Sequence, residues 1–210
     1  MAAPPSGTIT FLLTDIEGST RMWEKSQEKM RAALAHFDAV LRSAIEAHGG
    51  HVFKTVGDAF CAASPTAPEA LEAALCAQPA LQVNKSWGEV GPLLVRMLVH
   101  TGSAEERDGE YLGPPLNRVT RFLSAAHGGQ TLLSLPTQEL VRDQLPVDTE
   151  LRDLGQHRLK DLARPEGSCT RDAREPFAVR YPHPSSPTYL GYVTGYDRSP
   201  DSVAAGRFMQ

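Results

Sequence analysis

Short apolar runs alternate with amphipathic stretches along most of this chain. Residues 8–14 are rich in β-branched and apolar side chains with a continuous apolar centre, which predicts a buried central strand. After a polar segment, apolar side chains recur at steps of three and four and predict a helix that ends at a pair of glycines; they are Met30, Leu34, Phe37, Leu41 and Ile45. Two β segments, 51–56 and 59–63, follow with only Gly57 and Asp58 between them, and this spacing predicts a hairpin.

The remaining pattern completes a recognisable order of elements. We expect helices over 67–81, 115–126 and 136–144, and strands over 93–100, 131–134 and 151–162, the last at a sheet edge. The order strand–helix–strand–strand–helix–strand is that of a ferredoxin-like, split βαβ sheet of the palm type. The sequence therefore predicts an α+β fold: an antiparallel sheet with helices on one face, followed by a C-terminal α/β extension.

Proline content indicates where the folded part ends. The run over 181–187 carries three prolines, which exclude a helix or a central strand. We therefore expect a flexible N-terminus over 1–6, one folded domain over 7–166, and a poorly ordered, proline-rich tail over 167–210.

Composition narrows the class of protein. The chain has 210 residues, 41% of them hydrophobic, with 21 basic and 25 acidic side chains and a net charge of −4. This balance gives no reason to expect a nucleic-acid partner, and no apolar run reaches the roughly 20 residues of a membrane span. The N-terminus does not resemble a signal peptide. Three scattered cysteines, Cys61, Cys76 and Cys169, predict neither disulfides nor a zinc site, so we expect a cytoplasmic protein with no membrane partner.

Two acidic residues are expected to meet at one edge of this sheet. Asp15 ends the first strand and Asp58 begins the third, which lies antiparallel between the first and the second. Paired carboxylates favour Mg2+ or Mn2+, and Gly18, Ser19 and Thr20 open the next helix with backbone N–H groups that suit a phosphate. The structural alternative is that Asp15 forms an Asx turn and Asp58 is only a hairpin-turn residue.

Six ordered sequence blocks resemble the class III nucleotidyl cyclases, the adenylate and guanylate cyclase catalytic domain. The blocks are FLLTDIEGST (11–20), GGHVFKTVGDAF (49–60), VHTG (99–102), GPPLNRVTR (113–121), HGGQ (127–130) and LGQHRLKDL (154–162). Several blocks in a fixed order are far more specific than a single glycine motif. The resemblance implies that residues 7–166 form a cyclase catalytic domain, with bacterial enzymes as the most similar type.

The resemblance also implies a metal site and an assembly. Asp15 and Asp58, with the carbonyl of Ile16, would bind two Mg2+ or Mn2+ ions in each site. The family builds its sites between two protomers, so the resemblance implies a homodimer with two sites.

Substrate-binding roles follow from the same resemblance. Lys54 would read the base, Asn117 would orient the ribose, and Arg121 would stabilise the reacting phosphorus. Lys160 would bind the triphosphate, and Glu110 occupies the position that accepts from an adenine amine. The spacing of Asn117 and Arg121 independently places them on one helix face, although a solvated helix face gives the same spacing. Without the resemblance, Lys54 would be interpreted as an exposed lysine in a strand and Glu110 as a residue that only flanks a turn.

Base chemistry favours ATP over GTP. Adenine needs one donor and one acceptor from the protein, and guanine presents the reverse pattern, so the donor-only Lys54 favours adenine. We therefore expect an adenylate cyclase that converts ATP to 3′,5′-cyclic AMP and pyrophosphate by two-metal-ion catalysis. The alternatives are a catalytically impaired nucleotide-binding or dimerisation module that regulates a partner, and a cyclase that uses GTP or another nucleoside triphosphate.

Overall fold

The computed structural model describes residues 7–83, 93–107, 109–112, 114–124, 126–146, 149, 151–153 and 190–192. The strands are β1 (Gly7–Ile16), β2 (His51–Val56), β3 (Ala59–Ser64), β4 (Val95–Arg107), β5 (Glu110–Leu112), β6 (Thr131–Leu133), β7 (Arg152–Asp153) and β8 (Leu190–Tyr192). The helices are α1 (Ser19–Lys25), α2 (Gln27–Ala47), α3 (Ala67–Val83), α4 (Pro114–Leu123) and α5 (Leu135–Val141).

Strand β1 is the centre of the sheet. It pairs antiparallel with β3 on one side and with β4 on the other, and β2 pairs antiparallel with β3. The resulting order β2-β3-β1-β4 is the predicted ferredoxin-like arrangement. On the far side of β4, the strands β6, β8 and β7 extend the sheet in parallel, and β5 forms a separate antiparallel pair with β4. The predicted α+β fold with a C-terminal extension is confirmed.

Both faces of β1 are covered, which explains its continuous apolar sequence. Leu12 and Ile16 join a buried cluster with the inner faces of α2 and α3. Phe11 and Leu13 join a second cluster on the opposite face, where α4 contributes Val119. The two helices of the split βαβ core thus share one face, as expected, and the helix from the extension covers the other.

The β2–β3 hairpin fixes one edge of the sheet. Gly57 adopts a left-handed conformation (φ 62°), which a two-residue hairpin turn requires and which a side chain would strain. Because β3 runs antiparallel to β1, its start lies beside the end of β1, and Thr14 pairs with Phe60. Asp58, in the turn just before β3, is therefore carried to the end of β1.

The structure differs from the sequence predictions at one strand boundary and within the predicted tail. Strand β4 continues to Arg107 instead of ending near position 100, because its second half still pairs with β1 and then with β5. Within the range assigned to a poorly ordered tail, Leu190–Tyr192 form β8, between β6 and the edge strand β7. The rest of the tail, residues 1–6 and most of the expected strand over 151–162 lie outside the described residues.

Among the described residues, no helix combines the length and the apolar sequence of a membrane span.

Candidate active site

The predicted meeting of Asp15 and Asp58 is present at the edge formed by β1 and the β2–β3 turn. The backbone N–H of Ile16 donates to Oδ2 of Asp58 at 3.0 Å, across 42 positions of sequence. This bond fixes the Asp58 carboxylate directly beside the residue that follows Asp15. The negative charge of Asp58 also acts on Asp15, where it favours the protonated form.

Asp15 also contacts a residue that the sequence did not suggest. Arg96, directly opposite in β4, donates from Nε to Oδ1 of Asp15 at 2.6 Å and from a terminal nitrogen to Oδ2 at 2.7 Å. Burial raises the pKa of the Asp15 carboxyl, Arg96 opposes that shift, and the charges of Asp58 and Glu17 add to it. One signal could have identified Arg96: a basic residue inside an otherwise apolar strand.

The donor set at this edge suits a magnesium-like ion. It consists of two carboxylates, Asp15 and Asp58, and the main chain of Ile16 between them. No group of three or more His, Cys, Asp or Glu side chains among the described residues forms an alternative metal centre. Mg2+ commonly takes one or two protein carboxylates and completes its shell with water and substrate phosphates. The residues therefore fit two-carboxylate binding, provided that Arg96 gives up at least one oxygen of Asp15.

The segment after these carboxylates starts helix α1. Gly18 precedes the helix in a left-handed conformation (φ 73°, ψ 17°), and no side chain caps the first turn. Gly18 and Thr20 are exposed and Ser19 is half-buried. The backbone N–H groups predicted to face a phosphate are thus free of side-chain caps.

Contacts to the residue before β4 and to the loop after α4 hold this segment in place. The N–H of Glu17 donates to the carbonyl of Leu94 at 2.8 Å, and a carboxylate oxygen of Glu17 accepts from the N–H of Gly128 at 3.0 Å. A Cβ added at Gly128 would lie 2.4 Å from Cβ of Leu94 and 2.6 Å from that Glu17 oxygen. Only glycine fits at this position without movement of its neighbours.

The two residues predicted to read the base contact each other. Nζ of Lys54 lies 3.1 Å from both carboxylate oxygens of Glu110, and the two side chains are 45% and 52% exposed. Lys54 lies in β2 and Glu110 in β5, so the sheet brings together a donor and an acceptor from distant parts of the chain.

The other predicted site residues are only partly covered by the structure. Asn117 and Arg121 lie on one face of α4, with side chains outside the described part of the chain. Lys160 lies wholly outside the described residues.

With this geometry in place, comparison with known proteins defines the class. Residues 1–167 match the model of the adenylate and guanylate cyclase catalytic domain. The chain belongs to this family.

Relatives and solved structures agree with that assignment. An uncharacterized protein of Mycobacterium tuberculosis is 42% identical over 192 residues, which are 89% of this chain and 65% of that protein. An adenylate cyclase of Lachancea kluyveri is 36% identical over 157 residues, covering 63% of this chain and 8% of that enzyme. The crystal structure of the adenylyl cyclase CyaB from P. aeruginosa superposes with a TM-score of 0.65 at 25% identity, covering 76% of this chain and 90% of that one. This chain spans less than two thirds of the length of the Mycobacterium tuberculosis protein and of the Lachancea kluyveri enzyme.

Proposed function

We propose that this protein is an adenylate cyclase that converts ATP to 3′,5′-cyclic AMP and pyrophosphate. One observation carries the proposal: the Asp58 carboxylate is hydrogen-bonded to the N–H of Ile16, beside Asp15, at a single edge of the sheet. Family membership supplies the reaction class. The two carboxylates supply a place where a triphosphate and divalent cations can be held together.

The sheet edge that carries Asp15 and Asp58 would assemble the reacting groups. Asp15, Asp58 and the Ile16 carbonyl would hold two Mg2+ or Mn2+ ions. When bound, these ions would help to deprotonate the ribose 3′-hydroxyl and would neutralise charge on the departing pyrophosphate. The Asp58–Ile16 bond keeps the carboxylate in place before substrate arrives, so little reorganisation is needed during the reaction. The uncapped start of α1 would receive phosphate oxygens.

Base recognition would use the Lys54–Glu110 pair. The Lys54 ammonium can donate to adenine N1, and the Glu110 carboxylate can accept from the N6 amine. Their mutual contact holds both groups ready at one place on the surface. Asn117 would orient the ribose, Arg121 would stabilise charge at the phosphorus, and Lys160 would bind the triphosphate, in line with the family resemblance.

A homodimer is part of this proposal, with metal-binding residues of one protomer facing the base-binding residues of the other. The strands that carry Lys54 and Glu110 also expose large apolar side chains, Val56 at 62% and Leu112 at 47%. A partner protomer that covered this surface would bury both apolar side chains. A cytoplasmic location, with no nucleic-acid or membrane partner, stays a prediction from composition.

Product identification tests the proposal. The purified chain is incubated with each of the four nucleoside triphosphates and with Mg2+ or Mn2+, and the products are identified by mass spectrometry. We expect cyclic AMP and pyrophosphate from ATP, with less product from the other nucleotides. Stoichiometric nucleotide binding without a cyclic product would contradict the proposal and support a regulatory module instead. A preference for GTP would retain the enzyme class and overturn the base assignment.

A further inference from the structure

Arg96 is hydrogen-bonded to the carboxylate of Asp15, which the metal ions of the proposed function would also use. Both oxygens of Asp15 accept from its guanidinium, at 2.6 and 2.7 Å, in a two-pronged contact. Such paired, charge-assisted hydrogen bonds are among the stronger polar contacts in proteins. Asp15 and Arg96 are only 25% and 22% exposed, so water screens the contact weakly.

The sheet holds the two residues opposite each other. Asp15 and Arg96 are directly paired in the β1–β4 ladder, with pairs on either side that keep the register, Thr14 with Met97 and Ile16 with Val95. The strand register therefore brings the two side chains together, and no loop has to close to form the contact. A divalent cation at Asp15 would meet a positive guanidinium within hydrogen-bond range of the same oxygens, and like charges so close repel.

We propose that Arg96 is a resident counter-ion that blocks Asp15 and keeps the affinity of the nucleotide-free protein for divalent metal low. The inference rests on the proposed function, because it takes Asp15 as a metal ligand. Metal binding must then displace at least one arm of the guanidinium from Asp15. Arg96 acts here as a positioning residue, through the carboxylate that it holds.

A purely structural role for Arg96 makes a different prediction. If the pair only strengthened the contact between β1 and β4, Arg96→Lys would lower the stability of the fold and leave metal affinity unchanged. Lysine keeps the positive charge but cannot cover both carboxylate oxygens with a planar fork. This variant therefore separates two effects on metal binding: the paired hydrogen bonds to the Asp15 oxygens, which it loses, and the nearby positive charge, which it keeps.

The experiment measures Mn2+ binding to the nucleotide-free, 210-residue chain by the loss of the free-ion electron paramagnetic resonance signal. We expect Arg96→Lys to bind Mn2+ about tenfold more tightly than the wild type. Arg142→Lys makes the same exchange at the C-terminal end of α5, where the arginine contacts Glu139 and Asp143, and should leave the affinity unchanged. Asp15→Asn should lose the binding.

The outcomes separate this inference from the proposed function. Equal Mn2+ affinity of Arg96→Lys and the wild type, with binding lost in Asp15→Asn, would overturn the role of Arg96 and keep the metal site. No Mn2+ binding by any of the proteins would overturn both.

A measurement on the wild type covers the case in which Arg96→Lys does not fold. Addition of Mg2+ should shift the Arg96 Nε–H resonance in a nitrogen–proton correlation spectrum. Mg2+ binding with that resonance unmoved would overturn the inference.

Discussion

Lys54 and Glu110 lie 56 positions apart in the sequence, yet Nζ of Lys54 is 3.1 Å from both carboxylate oxygens of Glu110. Both side chains are about half exposed. Exposed ion pairs contribute little to stability, commonly below about 1 kcal/mol. Substitutions in this pair should therefore leave the fold intact, and changes in nucleotide preference can be read as changes in recognition.

Exchanging the two charges should reverse the base preference. Lys54→Glu alone places two carboxylates together and removes the donor to adenine N1, so we expect ATP turnover to fall by roughly tenfold or more, with relative preference moving toward GTP. The double variant Lys54→Glu/Glu110→Lys restores the pair with its polarity inverted, as guanine N1–H and O6 require. It should prefer GTP when kcat/KM is compared for the two nucleotides. An unchanged ATP preference in the double variant would show that this pair does not read the base.

Two threonines of β1 should respond in opposite ways to loss of their hydroxyl. Both are buried, but Oγ1 of Thr10 is hydrogen-bonded to Oγ1 of Thr101 at 3.0 Å, whereas Oγ1 of Thr14 has no partner among the described residues. We expect Thr14→Val to raise the free energy of unfolding by about 1 kcal/mol and Thr10→Val to lower it by about as much. Urea denaturation measures both. Equal losses in the two variants would contradict this account of the strand.

Gly128 should tolerate no side chain. A Cβ added at Gly128 would lie 2.4 Å from Cβ of Leu94, so Gly128→Ala must move Leu94, just before β4, or the Glu17 carboxylate. We expect a loss of roughly 1–3 kcal/mol in the free energy of unfolding, as for other overpacked sites. Glu17→Gln keeps an oxygen acceptor for the Gly128 N–H and should cost less than half as much. An unchanged urea midpoint for Gly128→Ala would contradict the close approach.

The reactivity of Cys61 should depend on Lys54. Burial raises the pKa of the Cys61 thiol above its ordinary value of 9.0, and the positive charge of Lys54, paired with it across β2 and β3, lowers it in part. Because the thiolate is the nucleophile, iodoacetamide should modify Cys61 several-fold more slowly than the exposed Cys76 below pH 9.0. Lys54→Gln removes the opposing charge, so the Cys61 profile should move to higher pH, as peptide mass spectrometry can follow. A profile that moves down or stays fixed would contradict this.

The central geometry of the site could be predicted because it depends on strand order alone. Once the hairpin after Gly57 and the central strand are identified, the antiparallel arrangement carries Asp58 to the end of β1. The apolar spacing of α2 similarly identifies its buried face, since Met30, Phe37 and Ile45 are all buried. These features follow from local periodicity and from one topological rule.

Other features depend on register and on distant pairing, which local patterns do not encode. Arg96 contacts Asp15 because β1 and β4 align those two positions, and a shift by one residue would turn Arg96 to the other face. Strand β8 joins the sheet from a proline-rich region whose composition suggests no strand. The pairing of Lys54 with Glu110 likewise depends on β4 continuing to Arg107 and turning back as β5.

Cyclic AMP formation by Asp58→Asn tests the central claim most directly. Asparagine keeps an oxygen that can accept from the N–H of Ile16, so the turn should remain in place while the negative charge is lost. The control is Asp143→Asn, which neutralises an exposed carboxylate that contacts Arg142 just after α5. With Mn2+ and ATP, we expect Asp58→Asn to lose more than about 100-fold in turnover, with circular dichroism and oligomeric state unchanged, and Asp143→Asn to match the wild type. Wild-type turnover by Asp58→Asn would contradict metal-ion catalysis at the edge that Asp15 and Asp58 share.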